Sequence, residues 1–302
     1  MKKILLLSAM VALLLSGCSK VPISGRNQLN LVSDSEVLQA SLASYKEYIS
    51  KAPLSTQTVK SEQVTRVGRK IAAATEAYLN SHGMSDQVQN FAWEFNLVRD
   101  NQLNAFCMPG GKIVVYEGIM NIIASDDELA VVLGHEVAHA VAKHSNERLS
   151  QQKALEYGGA ILGAITQNAS QQTQTIAAQV FGLGANYGVM LPFSRKHETE
   201  ADNIGLVLMT MAGYNPECAL TFWQKMSAGT TNTKAEFMST HPSDATRIAN
   251  LQKQLPKVKQ EYGAYIQQYN APATTTTTTT KKSTSTKKTS TKKTSTKKSK
   301  KK

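Results

Sequence analysis

Apolar residues recur at three- and four-residue spacing from Ser33 to Ile49 and again from Gln63 to Tyr78, which predicts two amphipathic helices. The stretch from Asn90 to Val115 changes period. Phe91–Val98 alternates, Ile113-Val114-Val115-Tyr116 is β-branched and aromatic, and Pro109-Gly110-Gly111 between them is a turn signal. A small sheet with a hairpin is expected there. Helical periodicity returns at Ser125-Asp126-Asp127-Glu128, where a serine three residues ahead of a glutamate forms a capping box. No repeat of 20–50 residues recurs along the chain. The expected fold class is therefore predominantly α, an α+β domain with a small edge sheet.

The chain has 302 residues and a formal net charge of +12. That charge suggests a nucleic-acid binder until it is located. Eleven lysines lie between Lys281 and Lys302, and Lys2 and Lys3 stand at the N-terminus. The body between them is nearly neutral, so a nucleic-acid partner is disfavoured.

Both ends read as segments outside the folded body. Lys2-Lys3, the apolar run Ile4–Leu15 and Ser16-Gly17-Cys18 form an export signal over residues 1–17, too short to span a bilayer. Leu15-Ser16-Gly17-Cys18 resembles the lipobox of bacterial lipoproteins, which implies acylation of Cys18 and a membrane anchor. With Ser19 following, that resemblance implies an outer-membrane protein of a bacterial envelope, facing the periplasm. Residues 271–302, with seven threonines and a Lys-Lys/Ser-Thr repeat, cannot pack a core and read as a disordered tail. The tail is either a solvated spacer or a contact to anionic lipid or cell-wall polymer. Residues 18–60 read as a linker and helix, and 61–265 as the main domain. Cys107 and Cys218 can pair or remain two thiols.

The chemistry lies in the helix that the capping box opens. His135-Glu136-Val137-Ala138-His139 sets two imidazoles four residues apart on one helix face, where they can share a metal ion. Glu136 beside them can reach an attacking water. An apolar helix has no packing reason to carry these three groups. Zinc, one ion per chain, then requires a third protein ligand. Glu198 and Asp202, four residues apart, share a helix face and suit a ligand plus a carboxylate that orients a ligating histidine, whereas Glu200 points elsewhere. His197 is an alternative ligand. His82 and His144 lie in polar contexts and read as surface residues.

His135-Glu136-x-x-His139 followed by Glu198-x-x-Ala201-Asp202 resembles the gluzincin family of the CAAX prenyl endopeptidase and the bacterial heat-shock protease HtpX. Gly25–Leu29, Asn104-Ala105-Phe106-x-x-Pro109-Gly110-Gly111 and Ser239-Thr240-His241-Pro242-x4-Arg247 resemble its soluble, periplasmic lipoprotein branch. The resemblance covers residues 21–255. It implies a zincin-type domain in which His135, His139 and Glu198 bind zinc and Glu136 is the general base. It further implies that Asp202 holds His135 in its metal-binding tautomer and that His241 stabilises the oxyanion. Arg247 would support the His241 loop or the Asp202 region, and the strand at Asn104–Phe106 would hold an extended peptide.

The implied activity is a zinc endopeptidase acting on unfolded or misfolded envelope proteins. The alternative is a zinc-stabilised envelope chaperone or assembly factor with secondary proteolysis. Between the two metal motifs, Gly159-x-x-x-Gly163 permits close helix packing, and the glycines from Gly182 to Gly188 suggest a mobile helical flap.

Overall fold

The structure is a computed structural model that describes residues 18–168, 170–183, 191–227, 241 and 245–270. Cys18–Lys20 (β1) and Asn27–Leu29 (β2) pair antiparallel and lead into two long helices, Asp34–Lys51 (α1) and Thr58–Ser81 (α2). Ser33 caps α1 by accepting from Glu36 N–H, which satisfies an otherwise orphaned donor. Helix α2 lays Val64, Val67, Ile71 and Leu79 into the core at the spacing its sequence sets.

After the short helix Ser85–Val88 (α3) come Glu94–Val98 (β3), Ala105–Met108 (β4) and Lys112–Tyr116 (β5), in the order β3-β5-β4. The hairpin joins β4 to β5 through Pro109-Gly110-Gly111; the φ values of +95° and +76° at Gly110 and Gly111 are strained for residues with a Cβ. The alternating segment β3 is not the hairpin partner: it pairs parallel to β5, Glu94 opposite Lys112. One outer edge therefore belongs to β4. Residues of the N-terminal segment join the same core, Val21 among them.

The remaining helices are Glu117–Met120 (α4), Asp126–Val141 (α5), His144–Thr166 (α6), Gln171–Leu183 (α7), Leu191–Met211 (α8), Cys218–Ser227 (α9) and Ala245–Asn270 (α10). Ser125 Oγ accepts from Glu128 N–H, and Glu128 accepts in turn from Ala124 N–H, so the capping box opens α5. Every residue from Leu129 to Ala138 is buried. Helix α5 is the central pillar of the domain, with α8 across it and α2, β4 and α9 around it.

The α5–α8 crossing depends on two glycines. A Cβ on Gly205 would lie 2.9 Å from the carbonyl carbon of Gly134 and the amide nitrogen of His135, and a Cβ on Gly134 would lie 3.0 Å from Gly205 O. These are backbone atoms with no room to yield. Gly205→Ala should therefore cost about 1–3 kcal/mol of unfolding free energy and weaken metal retention, since it levers α8 away from His135. Urea unfolding of metal-free and zinc-loaded protein checks both effects. The close packing permitted at Gly159-x-x-x-Gly163 is not realised at Gly163, where a Cβ would meet open space. Helices α6 and α7 pack on each other. Gly184 and Gly188 of the expected flap lie outside the described residues, as do residues 1–17 and the tail from 271. No described helix is long and apolar enough to cross a membrane.

Candidate active site

His135 and His139 leave α5 on the same face, and the α5–α8 crossing brings Glu198 opposite them. His135 Nε2 lies 3.2 Å from His139 Nε2 and 3.2 Å from Glu198 Oε2, and His139 Nε2 lies 3.4 Å from Glu198 Oε1. His241 joins them from the segment before α10, its Nδ1 3.2 Å from both His135 Nε2 and Glu198 Oε2. One candidate ligand atom from each of these four residues falls within 4.8 Å of all the others. Donors about 2.0–2.1 Å from a tetrahedral zinc are separated by about 3.3 Å along each edge. The five separations of 3.2–3.4 Å are of that size, and the donors are nitrogen and oxygen, so these residues fit a zinc ion. His241 Nδ1 thus stands beside the three residues that would hold the ion, where the sequence reading expects an oxyanion donor.

Glu136 belongs to the same helix but not to this cluster. Its carboxylate is 3% exposed, and its Oε1 accepts no hydrogen bond; His241 Nε2 stands 3.5 Å away. Burial raises the Glu136 carboxyl above its ordinary value, against the opposing pull of His241 and His135. A buried, raised carboxylate with one oxygen unbonded suits a base.

Two buried arms stand behind the histidines. Asp202, one turn beyond Glu198 on α8, places Oδ1 3.0 Å from His135 Nδ1. Arg247 of α10 grips Asp202 bidentately, Nε to Oδ2 at 2.6 Å and Nη2 to Oδ1 at 2.7 Å, and reaches the His241 carbonyl at 3.4 Å and Glu198 Oε2 at 3.3 Å. Its guanidinium stacks 4.6 Å over Trp223, which also walls His135. Burial alone would raise Asp202 and Glu198. Arg247 on Asp202, and His135 and His241 on Glu198, hold both below the usual carboxylate range. Burial would lower His135, but Asp202 and Glu198 raise it to about 9 before any metal competes for it.

The second arm departs from the sequence reading. His144 is not a surface residue: it is 2% exposed, with Nδ1 2.9 Å from His139 Nδ1 and Nε2 3.0 Å from Glu200 Oε2. Glu200 does face away from Glu198, yet into this buried cluster rather than solvent. His197, the alternative ligand, is outside the metal cluster and bonds Glu147 Oε2 at 3.0 Å. Burial pushes His144 down to about 4, while Arg26 and the histidines overcome burial to hold Glu147 and Glu200 near 2. His82 is exposed, as its context suggested, and Cys107 and Cys218 are free thiols. Arg26, His144, Glu147 and Trp223 escaped sequence reasoning as site residues. Only Arg26 carried a signal, through the Gly25–Leu29 segment.

Residues 60–255 match peptidase family M48. The mitochondrial metalloendopeptidase OMA1 of Schizosaccharomyces pombe is 38% identical over 244 residues, 79% of this chain and 67% of that protein. The Saccharomyces cerevisiae protein of the same name is 32% identical over 273 residues, 83% of this chain and 75% of its own length. The β-barrel assembly-enhancing protease of Escherichia coli is 28% identical over 183 residues, 57% of this chain and 37% of that protein. The expected bacterial outer-membrane location is thereby corrected: the relatives matched over the widest spans are mitochondrial. A buried carboxylate beside a histidine–glutamate cluster that fits a metal ion, in a chain matched this widely, identifies it as a member of peptidase family M48, a zinc metalloendopeptidase.

Proposed function

We propose that the chain cleaves extended segments of unfolded or misfolded proteins, with His135, His139 and Glu198 holding one zinc ion. The observation that carries this reading is the convergence of those donors, 3.2–3.4 Å apart, with Glu136 Oε1 buried and unbonded alongside. When bound, zinc supplies a Lewis acid that polarises the scissile carbonyl and acidifies water. Glu136 takes a proton from the attacking water as its oxygen bonds the carbonyl carbon. It then delivers that proton to the amine nitrogen as the C–N bond breaks. Its burial keeps the carboxyl basic enough to accept the proton.

Asp202 accepts from His135 Nδ1–H, which leaves Nε2 free to ligate. The β4 edge packs beside α5 and offers main-chain groups to an extended peptide, a geometry that a folded protein cannot satisfy. The test is hydrolysis of a reduced, alkylated polypeptide and of its folded parent. Chelation should abolish cleavage of the unfolded chain and zinc should restore it, with the folded parent resistant throughout. Equal cleavage of both forms would remove the unfolded-chain preference, and chelator-resistant cleavage would remove the metal.

A further inference from the structure

The histidine His139 lacks the direct carboxylate partner that Asp202 gives His135. Its Nδ1 instead faces His144 Nδ1 at 2.9 Å, and His144 Nε2 faces Glu200 Oε2 at 3.0 Å. Arg26 closes the chain from the N-terminal segment. Its Nε lies 2.9 Å and its Nη2 2.7 Å from Glu200 Oε2, while Nη1 and Nη2 bind the two oxygens of Glu147 at 2.9 and 2.6 Å. Ser24 adds a hydroxyl donor to Glu200 Oε1 at 2.5 Å.

The direction of this chain follows from the chemistry of its ends. An ionised carboxylate accepts only, so Glu200 takes a proton donor from His144 Nε2. His144 Nδ1 is then left as an acceptor, and the hydrogen it accepts belongs to His139 Nδ1. That tautomer leaves the lone pair of His139 on Nε2, the atom turned toward His135 and Glu198. Each link therefore fixes the next, from the guanidinium to the ligand atom.

The backbone is built to place the middle link. Lys143, between α5 and α6, has φ +53°, a left-handed conformation rare for a residue with a side chain. The sharp turn returns His144 beneath His139 only five residues on. Lys143 is held there by a 2.6 Å ion pair with Asp34, which also accepts from Asn146 at 3.0 Å. The His144 ring then stacks on His197, centroids 4.2 Å apart and planes 16° from parallel, and His197 bonds Glu147. Backbone strain, a buried ring stack and two buried carboxylates on one guanidinium converge on the orientation of a single imidazole.

From this the geometry points to Arg26, Glu200 and His144 as positioning residues for the metal, acting through His139. The N-terminal segment that carries Arg26 is thereby part of the metal centre. The inference rests on the proposed role of His139 as a ligand. It adds a dependence that neither the metal motif nor the Glu198–Asp202 pair contains, because Arg26 lies 174 residues from Glu200 in sequence.

The test measures the zinc dissociation constant of the full chain by competition with a chromophoric chelator, with circular dichroism confirming the fold of each variant. His144→Phe keeps the stacked ring and removes both nitrogens; Arg26→Met removes the outer clamp. Each should weaken zinc by about 10–100-fold, the usual cost of losing a partner behind a ligating histidine. The double variant should be no weaker than the worse single by more than about threefold, because one broken link already frees His139. Single variants within about twofold of wild type, or a double variant whose loss is the product of the two, would overturn the relay. If Arg26→Met does not fold, Glu200→Gln, which keeps the side-chain shape, enters the same cycle. His139→Ala separates the two levels. Retention of zinc by that variant overturns the ligand assignment, whereas its loss beside an unaffected His144→Phe overturns only the relay.

Discussion

Replacing Glu136 with glutamine should lower kcat on an unfolded polypeptide by about 10²–10⁴-fold, the range for loss of a general base, while zinc content stays at the wild-type level. The two side chains share a shape, so the exchange leaves the packing of α5 in place. What changes is the capacity to accept a proton. Glu136 lies outside the cluster formed by His135, His139, Glu198 and His241, so the exchange leaves the proposed zinc ligands in place. Its Oε1 is buried and takes no hydrogen bond, and a glutamine keeps an amide oxygen that can still accept the Cys107 backbone bond made by the carboxylate. A folded Glu136→Gln variant that loses its zinc would make Glu136 a ligand. A variant that keeps its rate would leave the proton transfer to another group. Zinc analysis and single-turnover cleavage on the same preparation distinguish these results.

The part of this site that the sequence exposes is the part encoded locally. His135 and His139 are one helical turn apart, Glu198 and Asp202 likewise, and the Ser125–Glu128 box marks where the first helix starts. Helical spacing turns each of these pairs into a shared face before any tertiary contact is known. The outer arms obey no such spacing. Arg26 meets Glu147 and Glu200 across 121 and 174 residues, and no helical spacing in its sequence indicates which carboxylates it will pair with. His144 misled for a related reason. Its polar neighbours describe a solvated turn, but the left-handed Lys143 folds that turn inward. The Gly134–Gly205 contact was equally silent, since neither glycine sits in a turn. Strand β3 alternates as a half-buried strand should, but alternation does not specify whether its partner runs parallel or antiparallel.

The His241→Ala variant should lower kcat by about 10²–10³-fold with little change in KM, the loss expected when one oxyanion donor is removed. His241 Nδ1 lies 3.2 Å from both His135 Nε2 and Glu198 Oε2, beside the residues that would hold zinc. A substrate carbonyl brought to that ion would meet the ring, whose anchorage limits how far it can yield. Arg247 holds the His241 carbonyl at 3.4 Å and is itself fixed by two bonds to Asp202. With its backbone pinned, the ring would remain beside the scissile carbonyl, where an imidazole N–H can meet developing negative charge. That interaction grows only as the oxygen becomes anionic, so its loss belongs in kcat. A proportional rise in KM at constant kcat would assign the ring to substrate binding. A rise in kcat would show that removing the ring outweighs any donation, making His241 a block on the metal site. Steady-state kinetics, with zinc affinity measured on the same variant, separate the three results.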